Sequence, residues 1–100
     1  MKSIIVSPSA EADLLEIGEF IKDDNPDRSV SFTLEIFSRF DVIAERPKSF
    51  PARDDIMRGL RSCLHGKYLI LFVDNKDHVR IVRVVHGSRH LNRLTLDISL

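Results

Sequence analysis

Apolar and polar positions along this chain follow two different periods. Ala10, Leu14, Ile17 and Ile21 recur every three or four residues, with Glu11, Glu16, Glu19 and Lys22 mostly on the other side. That is the pattern of an amphipathic helix. Ser7-Pro8 opens it: Ser supplies an N-cap oxygen, and Pro suits the first helical position, where its missing N–H costs nothing. Leu15 and Phe20 widen the apolar face, and the helix ends near Asp23-Asp24. Asn25-Pro26 repeats the device, with Asp27 well placed for the helix dipole. The second helix takes Val30, Leu34, Phe37 and Phe40 as its apolar positions, flanked by Ile36, Ile43 and Ala44, until Arg46-Pro47 stops it. Two such helices predict an antiparallel hairpin that needs another layer to cover.

The period then changes. Residues 3–6 read as a short first strand, and residues 47–58 form a connector that is neither strongly helical nor a strand. Leu60 to Leu64 alternates with Arg61 and Cys63, and His65-Gly66-Lys67 signals a tight turn. Tyr68 to Val73 is apolar on both faces, as in a covered central strand, and Asp74-Asn75-Lys76-Asp77 is a second turn. Val79 to Val85 is so rich in β-branched residues that it belongs at the centre of a sheet. Short turns between consecutive strands mean an antiparallel meander. The expected fold is therefore α+β, in the order β-α-α-β-β-β, with the helical hairpin packed on one face of a small antiparallel sheet. After Arg89 the tail keeps some apolar content without a committed element.

One hundred residues bound this to a single domain spanning 1–100. Apolar residues at 43% and charged residues at 30% fit a globular chain and argue against disorder. No apolar run approaches the roughly 20 residues of a membrane span, and the apolar start is too short for a signal peptide. The single cysteine, Cys63, excludes an internal disulfide and fits a reducing compartment, so a cytoplasmic protein is expected. The net charge of zero hides a split. Residues 1–57 hold seven Lys/Arg against twelve Asp/Glu, and residues 58–100 hold eight against three together with all four histidines. Either a basic surface meets an anionic partner, or the two halves attract each other across the fold.

Strand alternation assigns the candidate chemistry. Ile81, Arg83 and Val85 are expected on one face, and Arg80, Val82, Val84 and His86 on the other. An unpaired guanidinium under the helices is costly, so Arg83 is expected on the open face, shared with Arg61. Arg61, Arg83 and Arg89 then suit phosphate or carboxylate, or else are surface arginines paired with Asp and Glu. His86 and His90 flank Arg89, and an imidazole beside a guanidinium suits acid–base work at a phosphodiester. The structural alternative for His86 is a strand-end histidine bonded to a nearby carbonyl. Cys63, His65, His86 and His90 match no compact zinc spacing, and no metal or other cofactor is expected. Gly87-Ser88-Arg89 lacks the second glycine of a nucleophile elbow.

In order along the chain, several pieces resemble a known family. These are Ser7-Pro8-Ser9-Ala10 with Asp13-Leu14 and Ile17, Asn25-Pro26, Pro47, Arg58-Gly59-Leu60-Arg61, Gly66-Lys67-Tyr68-Leu69-Ile70 and the stretch from Val79 to Arg89. Together they resemble the ParE/RelE superfamily of type II toxins, and within it the ParE branch. The resemblance implies a toxin neutralised by a small cognate ParD-like antitoxin in a hetero-oligomer. The ParE branch implies inhibition of DNA gyrase and blocked replication, without cutting nucleic acid. The RelE branch implies ribosome-dependent mRNA cleavage, for which Arg61, Arg83, His86 and His90 are the candidate residues. The chain departs from that pattern: its connector lacks a dense lysine group, and no Tyr follows the last strand. A third reading is an inactive module that only binds the antitoxin. Arg61, Tyr68, Arg83, His86 and Arg89 are the expected target- or antitoxin-binding residues. The antitoxin is expected to bring acidic residues to the basic half and apolar side chains over the hairpin.

Overall fold

Both expected helix starts form as capped N-termini. In the computed structural model, which describes residues 2–88, the chain runs through β1 (Ser3–Val6), α1 (Pro8–Asp24), α2 (Pro26–Glu45), a 3-10 turn at Pro47–Ser49, β2 (Leu60–His65), β3 (Tyr68–Asp74) and β4 (His78–His86). The Ser7 hydroxyl accepts from the Ala10 amide at 3.0 Å, and the Asn25 carboxamide oxygen accepts from the Arg28 amide at 3.1 Å. Each oxygen satisfies a donor that the first helical turn leaves open. Pro follows each cap, as the sequence indicates. Gly66 carries a positive φ of 58° in the two-residue turn between β2 and β3, where a side chain would be strained.

The sheet order is β1-β4-β3-β2. The last three strands form the expected antiparallel meander, but β1 pairs parallel to β4, so the sheet is mixed. A parallel pair needs a crossover, and the whole helical hairpin provides it. The hairpin packs Phe32, Ile36, Phe40 and Ile43 of α2 and Ala10 of α1 onto Cys63, Ile70, Phe72, Val79, Ile81 and Val84 of the sheet. Each of the Phe, Ile and Val side chains among them contributes roughly 1.5–3 kcal/mol when fully buried.

Three expectations about orientation are corrected. On α2 the stripe that meets the sheet is Phe32–Ile36–Phe40–Ile43, while Val30, Leu34 and Phe37 are exposed. Both stripes have helical spacing, so periodicity alone does not choose between them; the position of the sheet does. On α1, Leu15 and Phe20 do not widen the buried face: they are 72% and 75% exposed. On β4, a bulge sets Leu71 opposite Arg83 and Phe72 opposite Ile81, leaving Val82 as the extra residue. The bulge breaks the two-residue period. Ile81 and Val84 therefore share the helix side, and Val82, expected beneath the helices, joins Val85, Leu60 and Leu71 on the other face. That second face is not open either, since Ile56 and Met57 of the connector pack against it.

Candidate functional site

The strand β4 outruns β1, and what replaces β1 along that edge shapes the candidate site. The Ser7 amide donates to the Ile81 carbonyl at 2.9 Å, and the Ser7 hydroxyl donates to the Val82 carbonyl at 2.8 Å. Nearly two turns further along, in α1, Asp13 Oδ2 accepts from the Val84 amide at 2.9 Å. A carboxylate thus takes the place of a strand carbonyl, as buried backbone donors require. The same carboxylate holds Arg83 in a two-pronged pair, Nε to Oδ2 at 2.6 Å and Nη2 to Oδ1 at 2.9 Å. Both side chains are close to 90% buried, at 12% and 10% exposure. The hydrogen bond donated to Asp13, with the added charge of Asp13 and Glu16, holds the Arg83 guanidinium even above its ordinary pKa, against the opposing effect of burial. Arg83, expected as a cation on an open face, is instead keyed into α1 because a buried guanidinium needs a carboxylate partner.

Arg61 is also not on a face shared with Arg83. It lies opposite Phe72, which faces the helices, whereas Arg83 lies opposite Leu71, which faces away from them. The Arg61 Nη1 donates to the Phe50 carbonyl at 2.7 Å and ties the connector to β2, where Ala52 bridges to Arg61. Tyr68 and His86 do come together: they are cross-strand partners with ring centroids 5.5 Å apart, edge to face. His86 is exposed, and its Nδ1 accepts from the Ser88 amide at 3.1 Å and lies 2.7 Å from the Ser88 hydroxyl. With Nδ1 accepting, the neutral ring carries its proton on Nε2. His86 stands at the strand end, but the contact it makes is with Ser88 and not the carbonyl contact expected of such a histidine. Arg89 and His90 lie outside the described residues.

The aromatic row continues inward. Phe32 meets Tyr68 at 5.2 Å and His65 at 6.0 Å. His65 Nε2 lies 2.8 Å from Glu35 Oε1, and Glu35 in turn receives Arg28 at 2.5 Å. The bonds from Arg28 first, then His65, lower the Glu35 carboxyl pKa. This chain of contacts fastens the β2–β3 turn to α2. Beside it, a cleft of about 330 Å³ is lined by Glu16, Phe20, Tyr68, Val84 and His86, among others. It offers stacking surface, a carboxylate and an imidazole, which is equipment for recognition. Among the described residues, no group of three or more His, Cys, Asp or Glu side chains is placed to hold a metal ion. Cys63 is buried and accepts from Arg39 Nη2 at 2.9 Å.

Asp13, Ser7 and Glu35 carry this architecture, yet none stands out as a site residue in the sequence. A signal for Asp13 existed. It is an acid within the core-facing spacing of Ala10, Leu14 and Ile17, and β4 carries an arginine within an apolar run. The charge split between the halves is also partly resolved by the fold. Asp13–Arg83 and Glu35–His65 each join an acid of the first half to a basic residue of the second.

Two helices laid across one face of a four-stranded mixed sheet, in the order β-α-α-β-β-β, define a ParE-like α+β fold. A solved structure described as the chromosomal ParDE TA system from P. aeruginosa is similar at a TM-score of 0.75 and 17% identity, covering 86% of this chain and 96% of that one. The family model described as the ParE toxin of the type II toxin–antitoxin system, parDE, matches residues 4–91, and the chain belongs to that family. No curated protein matches it.

Proposed function

We propose that this ParE toxin acts by binding DNA gyrase and blocking replication in the cytoplasm, and that a cognate ParD-like antitoxin silences it in a hetero-oligomeric complex. The observation that carries this reading over mRNA cleavage is the dispersal of the candidate cleavage residues. Arg61 and Arg83 leave the sheet on opposite faces, and each guanidinium is already engaged inside the molecule. Stabilising a phosphodiester transition state requires donors converging on one point and aimed at the developing charge. A guanidinium held by Asp13 or the Phe50 carbonyl first has to give up that bond. The arrangement of Tyr68 and His86 beside the cleft at Phe20 fits recognition of a protein surface, for which aromatic anchors are well suited.

The antitoxin, on this reading, brings apolar side chains to the hairpin, where Leu15, Leu34 and Phe37 are exposed. Its acidic residues meet the cations that remain at the surface of the second half, such as Arg58 and Lys67.

The test pairs two assays of the purified toxin. With gyrase and supercoiled plasmid, accumulation of cleaved DNA is expected and should weaken in Tyr68→Ala and His86→Ala. With translating ribosomes, primer extension on the message should show no added cuts. Unimpaired gyrase at excess toxin overturns the proposal, and cuts that disappear in His86→Ala replace it with mRNA cleavage. Expression without the antitoxin that leaves growth unchanged points to a module that only binds.

A further inference from the structure

Asp13, Glu16, Ile17 and Phe20 recur along α1 at i, i+3, i+4 and i+7, so they share one face of the helix. It is not the face that carries Leu15 and Gly18. With Tyr68, Val84 and His86 it encloses the cleft of about 330 Å³ at the ends of β3 and β4. Phe20 is 75% exposed and lies one turn beyond Glu16. The Tyr68 ring is held on two sides, by Phe32 at 5.2 Å and by His86 at 5.5 Å. Among the described residues no other ring meets Phe20, so its aromatic face is left to solvent at the cleft.

The two carboxylates at the cleft differ in their commitments. Asp13 is engaged by Arg83 and by the Val84 amide. Glu16 is exposed and accepts no hydrogen bond among the described residues. Its charge reaches Arg83, but Nε and Nη2 of that guanidinium go to Asp13. An occupant therefore has to satisfy aromatic faces and one carboxylate together. An apolar anchor would strip water from Glu16 without returning a donor, and an anion would be repelled by it. A lysine ammonium is a strongly hydrated point charge. A guanidinium is planar and weakly hydrated, stacks on aromatic faces, and donates in a fork that matches a carboxylate. The methylenes of an arginine can lie along Ile17 and Val84 while its head meets Glu16.

We infer that this cleft receives an arginine side chain from the protein that the toxin binds, with the guanidinium against Phe20 and Tyr68 and bonded to Glu16. Naming that protein as gyrase rests on the functional reading above; the preference for a guanidinium does not.

The test is an NMR titration of the isotope-labelled whole toxin with capped tripeptides that place arginine, citrulline or lysine between two glycines. Citrulline keeps the shape of arginine and removes its charge. The arginine peptide should move the signals of Phe20, Tyr68 and Val84 and bind about tenfold more tightly than the citrulline one. The lysine peptide should fall between them. Guanidinium chloride should bind about fourfold more weakly than the arginine peptide, roughly the burial of one methylene. Glu16→Gln should abolish the preference for arginine over citrulline, and Phe20→Ala should weaken the arginine peptide about threefold. Both side chains are exposed, so the melting of both variants should match the wild type. Equal binding of arginine and citrulline, an unmoved ratio in Glu16→Gln, or shifts confined to another surface overturns the inference. Guanidinium binding as tightly as the peptide gives the cleft to a free small cation, and a toxin dimer that Glu16→Gln dissolves gives it to a second copy; either result overturns it too. The titration needs no gyrase, so failure of the gyrase reading leaves it intact. A wild-type toxin that poisons gyrase yet binds the arginine and citrulline peptides equally overturns this inference alone.

Discussion

The end of β4 and the outer face of the hairpin place their side chains in opposite ways. At β4 a guanidinium and a carboxylate are buried beside the core, paired in two hydrogen bonds and tied to the Val84 amide. On the hairpin, Leu15, Val30, Leu34 and Phe37 face water. Burying the ion pair costs desolvation, which its own geometry has to offset, and its gain lies in fixing where α1 sits along the sheet. Exposing the leucines forgoes folding stability that the fold does not need, and leaves a surface that a partner can cover. At these two places a charge pair lies inside and apolar side chains face water, the reverse of the usual placement.

The contrast breaks most easily at Asp13. Asp13→Ala leaves a buried guanidinium and a strand amide without their acceptor, and should cost about 3–5 kcal/mol in urea melts. Arg83→Met should cost less, because Asp13 keeps the Val84 amide. The double variant should fall short of the sum by about 1–3 kcal/mol, the coupling of residues in one network; strict additivity would mean that the pair does not act as a unit. Ser7→Ala comes next, at about 1–2 kcal/mol, since one hydroxyl both caps α1 and satisfies the Val82 carbonyl.

The other side of the comparison predicts small numbers. Leu15→Gln and Leu34→Gln should each move stability by no more than about 0.5 kcal/mol, because neither side chain is buried and Gln is compatible with a helix. A loss above 1.5 kcal/mol in either would show that the exposed stripe belongs to the toxin's own core, on the scale of a buried large-to-small change.

The smallest effect concerns acid. Glu35 has a folded pKa below its unfolded value because it accepts from Arg28 and His65. Its contribution is complete above the ordinary carboxylate pKa of about 4.3 and is lost as pH falls through the lower folded value. Thermal melts between pH 6 and 3 should therefore decline less steeply for Glu35→Gln than for the wild type. Parallel curves would remove Glu35 from the pH response.

Much of the element order was legible because its signals are local. Ser7-Pro8 and Asn25-Pro26 specify two helix starts through caps and a fixed φ, and Gly66 permits the turn between β2 and β3. The site was less legible. Arg83 and Arg61 were recognisable as unusual residues in strands, but their partners are Asp13, seventy residues away, and the Phe50 carbonyl. Tyr68 and His86 could be placed on adjacent strands, yet their pairing depends on a register that includes the bulge at Val82.

The amino-acid sequence by itself determined the helices, the meander, their order and the membership in a small α+β class. Those features depend on capping, periodicity and turn chemistry within a few residues of each other. Only the tertiary structure decided which of two apolar stripes on α2 is buried, which face of β4 each valine meets, and whether Arg83 is a free or a paired cation. Each of those outcomes follows from where a distant element comes to rest: the sheet beneath Phe32 and Ile36, the extra residue at Val82, and the carboxylate of Asp13 at the edge that β1 leaves uncovered.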